Sequence, residues 1–308
     1  MNQTLRFEII KDLAAAQKIW ESLSPHETIY DDWDFRNTFH AYHKKELFFI
    51  VGYQDTEAAG LLALQYNNDQ NYFEFWGGSY MEDNRVMVKP GYENLIPEFY
   101  NFGGTLGKPL RLEYIRGNDA YTTSLPFQDY KFVLPLKNFS DTNDYLDAVF
   151  SGESKKKLVK RLKKIDDLGV TIEEDNWADL ELLINWNIAA FSDSAFIDRP
   201  FHKEIFRDLL KPHATFQARL LTFNIGGKKQ AVTMGLVYNK TYASVNRGID
   251  PEADKNVREY IHVKKVADAL KLGGELFDAF VGDYGWKERW GCQKIPQHSF
   301  ITSSTERV

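Results

Sequence analysis

Gln217-Ala-Arg-Leu-Leu-Thr-Phe-Asn224, Gln230-Ala-Val-Thr-Met-Gly-Leu-Val-Tyr238 and Thr241-Tyr-Ala-Ser-Val-Asn-Arg-Gly-Ile249 are three β-rich runs in close succession. Ile225-Gly226-Gly227-Lys228 joins the first two and Asn239-Lys240 the last two. Such short links close antiparallel hairpins, so the stretch predicts a three-strand meander. The irregular Asp250 to Asn256 follows, then a helix from about Val257 to Leu272 that stops at Gly273-Gly274, then a strand from Leu276 to Val281.

Upstream of the meander, Ser154 is positioned to cap a basic helix running to Asp167, with Leu158, Leu162 and Ile165 on its inner face and Gly169 as terminator. Trp177 to Phe191 and His202 to Leu210 read as further helices. The first half has the same order. A helix over Asp12 to Leu23 and another over Trp33 to Tyr42 precede strands at Leu47 to Tyr53, Ala59 to Tyr66 and Tyr72 to Trp76. A helix over Tyr92 to Asn101 and a strand over Leu110 to Ile115 complete it. The chain therefore reads as one α/β unit used twice, 1–137 and 138–308, with the strand-like Lys131 to Leu136 stitching the halves together.

With 308 residues, 43% hydrophobic and 27% charged, the chain is long enough for two ordinary domains. A net charge of -6 argues against DNA or other non-specific nucleic-acid binding, which needs a broad basic surface. The single cysteine, Cys292, forms no internal disulfide and reads as a packed small residue, which fits a reducing compartment. Met1 to Glu8 lacks a signal-peptide core, and no run approaches the roughly 18 apolar residues of a membrane span. A cytoplasmic location is expected. His40 and His43 are spaced as metal ligands can be, but no third ligand accompanies them, so a hydrated pair and no metal site are expected.

Three segments carry a family resemblance. Tyr72-Phe-Glu-Phe-Trp-Gly-Gly-Ser-Tyr-Met-Glu-Asp-Asn-Arg-Val86 ends a strand at glycine and continues into an Asp/Asn-bearing loop. Ser154-Lys-Lys-Lys-Leu-Val-Lys-Arg-Leu162 opens the second half with a basic helix. Gly282-Asp-Tyr-Gly-Trp-Lys-Glu-Arg-Trp-Gly291 is similar to a closing Gly-Asp-x-x-Tyr-Lys-x-Arg-aromatic-Gly motif, with Trp286 in place of the tyrosine. Over nearly its whole length the chain thus resembles tandem GNAT acyltransferases of the CelD/FemAB-like group. The resemblance implies two GNAT-like domains in tandem, each a mixed, mostly antiparallel central sheet flanked by helices.

It also implies acyl transfer from acyl-CoA, such as acetyl-CoA, to an amine or hydroxyl of a small-molecule, sugar or cell-envelope precursor acceptor. The donor's phosphates would meet Lys255, Asn256, Val257 and Arg258, with Ile249 leading into that turn, which lacks the family's usual glycines. Asn246, Arg247 and Trp286 would contact the acceptor. Asp283, Tyr284 and Lys287 would carry the proton transfers. The N-terminal domain would shape the acceptor cleft without catalytic groups.

Two rival readings accompany this one. A FemAB-like enzyme takes its donor from aminoacyl-tRNA, but no paired-helix arm interrupts the second half and the chain is acidic. A non-catalytic binding protein would keep the fold with a glycine-poor loop that no longer holds coenzyme A.

Overall fold

The computed structural model describes residues 5–192, 194–199 and 201–303. The chain forms two compact units, one comprising Met1–Lys131 with Ile295–Val308 and the other Phe132–Lys294.

The first unit contains β1 (Arg6–Ile10), α1 (Leu13–Leu23), α2 (Trp33–His43), β2 (Glu46–Gln54), β3 (Glu57–Asn67), β4 (Tyr72–Phe75), β5 (Met87–Val88), α3 (Ile96–Gly103) and β6 (Arg111–Arg116). Next comes β7 (Phe127–Pro135), within which the chain passes into the second unit. The antiparallel order is β1-β2-β3-β4, with β5 also on β3.

Both faces of this sheet are buried, and the alternation along β2 shows how. Phe49 and Val51 face Trp20 and Trp33 of the first two helices, while Ile50 joins Phe99 and Tyr100 of α3. Asp12 and Asp32 start α1 and α2 by accepting the N–H groups of Ala15 and Phe35. β1 falls partly in the stretch read only for targeting signals, and its mostly exposed residues give little apolar signal.

The second unit runs through α4 (Thr142–Val149), α5 (Gly152–Asp166), β8 (Val170–Glu174), α6 (Leu180–Ala190), α7 (Ala195–Asp198), α8 (His202–Leu209), β9 (Gln217–Ile225), β10 (Lys228–Tyr238), β11 (Thr241–Ile249), α9 (Val257–Lys271) and β12 (Leu276–Val281). β13 (Gln293–Ile301) then returns the chain to the first unit, where residues 297–301 pair antiparallel with β6. The meander is as expected. β8-β9-β10-β11 is antiparallel, and β12 joins β11 in parallel.

Asn239 and Lys240 both adopt positive φ, 41° and 60°, as a two-residue hairpin link requires. α5 and α9 cover one face through Ile165, Val257, Tyr260 and Ile261 packed on Leu221, Phe223 and Ile225.

Two local expectations are corrected. Ser151, not Ser154, stands at the N-cap of α5, and the Ser154 hydroxyl donates back to the Ser151 carbonyl at 2.6 Å. Gly152 at φ 53° lets the chain turn into the helix three residues earlier than the lysine run indicates. His40 and His43 are half-buried rather than hydrated, and burial is the main cause that lowers the pKa of each.

Candidate active site

The feature that organises the second unit is a place where its sheet comes apart. β11 and β12 are paired in parallel only from Thr241 opposite Leu276 to Ala243 opposite Asp278. Yet β11 continues to Ile249 and β12 to Val281, so the strands part after Ala243 and Asp278. Two local distortions accompany the parting.

Against β10, the register moves from Met234–Asn246 to Leu236–Ala243, which leaves one extra residue in β11 at Ser244–Val245. In β12, Phe280 sits at φ 63°, a conformation that costs a bulky residue about 1–3 kcal/mol. Asp278 accepts the Phe280 N–H at 2.9 Å, and Lys287 Nζ donates to the Phe280 and Val281 carbonyls at 2.9 and 2.8 Å. The strain is therefore held by side chains on both sides of the kink.

α9 lies across this opening. Lys265 Nζ donates to Ser244 Oγ at 2.6 Å, at the first β11 residue beyond the pairing. His262, one turn earlier, packs against Phe277, Trp286 and Trp290, with ring centroids 5.8, 5.5 and 4.5 Å away. Neither ring nitrogen of His262 has a hydrogen-bond partner among the described residues.

Both side chains are buried, at 4% and 3% exposure, where a charge is expensive. Burial, followed by the Arg247 guanidinium, lowers the Lys265 pKa to about 7. Burial and the neighbouring cations Lys265 and Arg247 hold His262 well below its ordinary range. Burial pushes the Cys292 thiol up to about 12, so it offers no thiolate nucleophile.

The residues expected from sequence divide into three groups. Asn246 and Arg247 lie on β11 beyond the parting, and Asn187 of α6 fixes them there. Its Nδ2 donates to Asn246 Oδ1 at 2.9 Å and to the Arg247 carbonyl at 3.0 Å, while Ser194 Oγ donates to Asn187 Oδ1 at 2.6 Å. Ile249 ends the strand opposite Ala231.

The second group is the turn into α9. Lys255 and Arg258 are exposed, but Val257 is a core residue whose N–H donates to the Asp254 carbonyl at 2.9 Å. The Asn256 N–H and Nδ2 both donate to Asp254 Oδ1, at 2.8 and 2.7 Å. The turn thus offers two exposed cationic side chains, with two of its N–H groups already engaged.

The third group follows β12. Trp286 is half-buried against His262, Tyr284 is 76% exposed, and Lys287 is buried. Asp283 is exposed, accepts the Gly285 N–H at 2.9 Å and pairs with Lys294 at 3.1 Å, contacts that lower its pKa.

His262, Lys265, Ser244 and Asn187 escaped the sequence reading. A signal existed for two of them, because His262 and Lys265 interrupt the apolar face formed by Val257, Tyr260, Ile261, Val266 and Ala269 at helical spacing. The basic run on α5 is largely paired. Arg161 meets Glu259 through Nη2 at 3.1 Å, Lys164 meets Asp254 at 2.9 Å, Lys163 meets Asp167 at 2.8 Å and Lys155 meets Asp147.

A family model described as an acetyltransferase (GNAT) domain matches residues 153–288, the stretch that contains this opening. No curated protein matches the chain. Solved structures similar to it include FemX, with a TM-score of 0.63 at 11% identity, covering 96% of this chain and 96% of that one. L-PGS from Bacillus licheniformis gives 0.60 at 10%, covering 97% and 94%. A tandem GNAT protein from the clavulanic acid biosynthesis pathway gives 0.59 at 11%, covering 99% and 100%. The chain has the tandem GNAT fold, with mostly antiparallel sheets flanked by helices. Among the described residues no helix is long and apolar enough to cross a membrane.

Proposed function

We propose that the protein is a cytoplasmic N-acyltransferase whose C-terminal part, 138–308, takes an acyl group from acyl-CoA and passes it to an amine. The acceptor is a small molecule, sugar or envelope precursor, and residues 1–137 help to shape its site without catalytic groups. The observation that carries this reading is the parting of β11 and β12 after Ala243 and Asp278. Parted strands leave backbone N–H and C=O groups that a substrate can satisfy, and N–H groups there can stabilise the oxyanion formed from a thioester.

Lys255 and Arg258, exposed at the start of α9, suit the donor's phosphates. Asp254 stands in the same turn as a carboxylate, so the grip rests more on side chains than in a glycine-rich loop. In the transfer the amine attacks the thioester carbon, the C–N bond forms, the C–S bond breaks and the thiolate takes up a proton. Tyr284 supplies that proton and Asp283 relays the amine's proton through water. Because Lys294 and the Gly285 N–H hold Asp283 below the usual carboxylate range, it passes the proton on to solvent rather than retaining it. Lys287 keeps the end of β12 in place.

Support comes from the GNAT domain match over 153–288 and from the likeness of the fold to a tandem GNAT protein. The finer likeness to CelD-type proteins rests on the Tyr72–Val86, Ser154–Leu162 and Gly282–Gly291 segments, the last being the most specific. The likeness to FemX keeps an aminoacyl-tRNA donor as the second reading, which the ion pairing along α5 disfavours.

Titration with acetyl-CoA and longer acyl-CoAs, read by calorimetry and thermal shift, tests the proposal. A thioester at about a hundred times its Kd stabilises the fold by about 2.7 kcal/mol. The Lys255→Ala, Arg258→Ala double variant is expected to bind about tenfold more weakly, since two charge-assisted contacts at an exposed site contribute roughly 1.4 kcal/mol together. Absence of binding by every thioester overturns the proposal.

A further inference from the structure

The opening between β11 and β12 gathers basic side chains that no acid among the described residues answers with a salt bridge. The half-buried Arg247 guanidinium has no salt bridge among the described residues, and its pKa is lowered by burial and by Arg258. Lys265 donates to Ser244 Oγ, a neutral hydroxyl, and neither nitrogen of His262 is bonded among the described residues.

The other groups facing this set do not supply the missing charge. Cys292 acts on Lys265 but is a neutral thiol. Asp278 of β12 and Lys287 beyond it act on Cys292, and the Asp278 carboxylate accepts the Phe280 N–H. Elsewhere in the same unit the fold answers a buried cation fully. Arg219 is paired with Asp268 and Glu174, each at 2.9 Å, and with Asp175. An uncompensated buried cation is costly, and the missing partner at the opening has the chemistry of an anion.

We propose that this opening is a carboxylate-binding site, in which Arg247 and Lys265 hold the carboxylate of a reacting substrate and the aromatic wall around His262 covers its carbon chain. Arg presents a planar fork suited to a carboxylate. A phosphate dianion would have to lose more hydration among Phe277, Trp286 and Trp290. The setting of this inference rests on the acyl-transfer reading. Two sources share the chemistry: the free carboxylate of a dicarboxylic acyl group on the thioester, and the α-carboxylate of an amino-acid acceptor.

Binding is coupled to a proton. With a pKa of about 7, Lys265 is mostly neutral at pH 8.5 in the free protein, and an adjacent carboxylate restores the ammonium. Each bound carboxylate therefore takes up about one proton at that pH, and affinity falls about tenfold per pH unit above 7.

The test is calorimetry on the full chain at pH 6.5 and 8.5, in two buffers of different ionisation heat. One arm compares succinyl-CoA with acetyl-CoA. The other compares the L-amino acids with their methyl esters, with and without coenzyme A, and inorganic phosphate is the control. The expected result is a preference of about tenfold or more for the acid at pH 6.5 in one arm. Proton uptake at pH 8.5 should vanish in Lys265→Met, and the preference should vanish in Arg247→Gln with the Tm preserved.

Equal binding of acid and neutral analogue in both arms, phosphate binding ahead of both, or proton uptake unchanged in Lys265→Met each overturns the inference. Thioester binding without acid preference defeats this inference and leaves the acyl-transfer reading standing. Acid preference without thioester binding does the reverse.

Discussion

In the first unit the buried guanidinium of Arg36 donates to the carbonyls of Tyr30, Trp76 and Asp83 and to Asn84 Oδ1. Asp83 answers Arg116 and Lys131, and Asp31 answers Arg85. In the second unit Arg247, Lys265 and His262 lie beside a strand of the same order in the repeat without such answers among the described residues. The repeat extends to the backbone, since β6 and β12 each carry an aromatic at positive φ, Tyr114 at 55° and Phe280 at 63°. The difference teaches that a shared frame can be closed by its own charges or left electrostatically incomplete. In the first unit charge fixes the loop after β4, while in the second it remains available to a ligand.

The largest effect that would break this comparison is in the first unit. Asp83→Ala removes the buried carboxylate that Lys131 and Arg116 share, leaving Arg116 with Glu27, and is expected to lower stability by about 3–5 kcal/mol in chemical denaturation. A loss below about 1 kcal/mol would show that the network does not hold that unit together. The Asp83 carboxyl is held below its ordinary range by the Lys131 and Arg116 cations acting against the opposing effect of burial. Its contribution is therefore present above the unfolded carboxylate range near pH 4 and is lost as pH falls toward the depressed folded pKa.

In the second unit, Gly248→Ala tests the packing that carries Arg247. A β-carbon there would stand 2.4 Å from the Leu183 carbonyl oxygen and 2.6 Å from its Cα. These are backbone atoms of α6 that no rotamer change can move, so a loss of about 3 kcal/mol is expected from the thermal midpoint. An unaffected Tm would show that α6 and β11 are free to separate.

The smallest effect has the opposite sign. Lys265→Met removes a buried amine whose folded pKa, about 7, lies below its ordinary value of 10.5. The wild-type chain pays that penalty in full below pH 7 and progressively less as pH rises toward 10. The variant is therefore expected to gain about 2 kcal/mol at pH 6, with the advantage fading by pH 10. A variant less stable at pH 6 would place Lys265 among the structural cations, as Arg116 is in the first unit.

The frame was legible in the sequence because its strands carry dense β-branched and aromatic runs and its hairpins end in glycine or asparagine. What escaped was weaker in pattern. In β8, Val-Thr-Ile-Glu-Glu alternates at a solvent-facing edge, and in β13 Pro296 interrupts the strand reading. α4 begins just after the expected boundary near Asn138, in a stretch that reads as a link between the halves. Of the side chains around the opening, Asn246, Arg247 and Trp286 were singled out in the sequence by position in the repeat and by resemblance. Lys265 and His262 were not, because a lysine and a histidine within a helix read as surface residues until the fold shows them facing a parted sheet. Asn187 acts from 59 residues away on Asn246, a pairing that no local pattern encodes.

The chain passes into the second unit within β7 and returns only at β13, which has a consequence for synthesis. Residues 132–294 are contiguous, so this unit is fully delivered while the first still lacks the strand that pairs with β6. Domains commonly fold in the order in which the ribosome releases them. Here the order is inverted at the end, because β6, made early, must wait for its strand partner until residues 297–301 emerge. The part of the molecule that emerges first is the last to be finished.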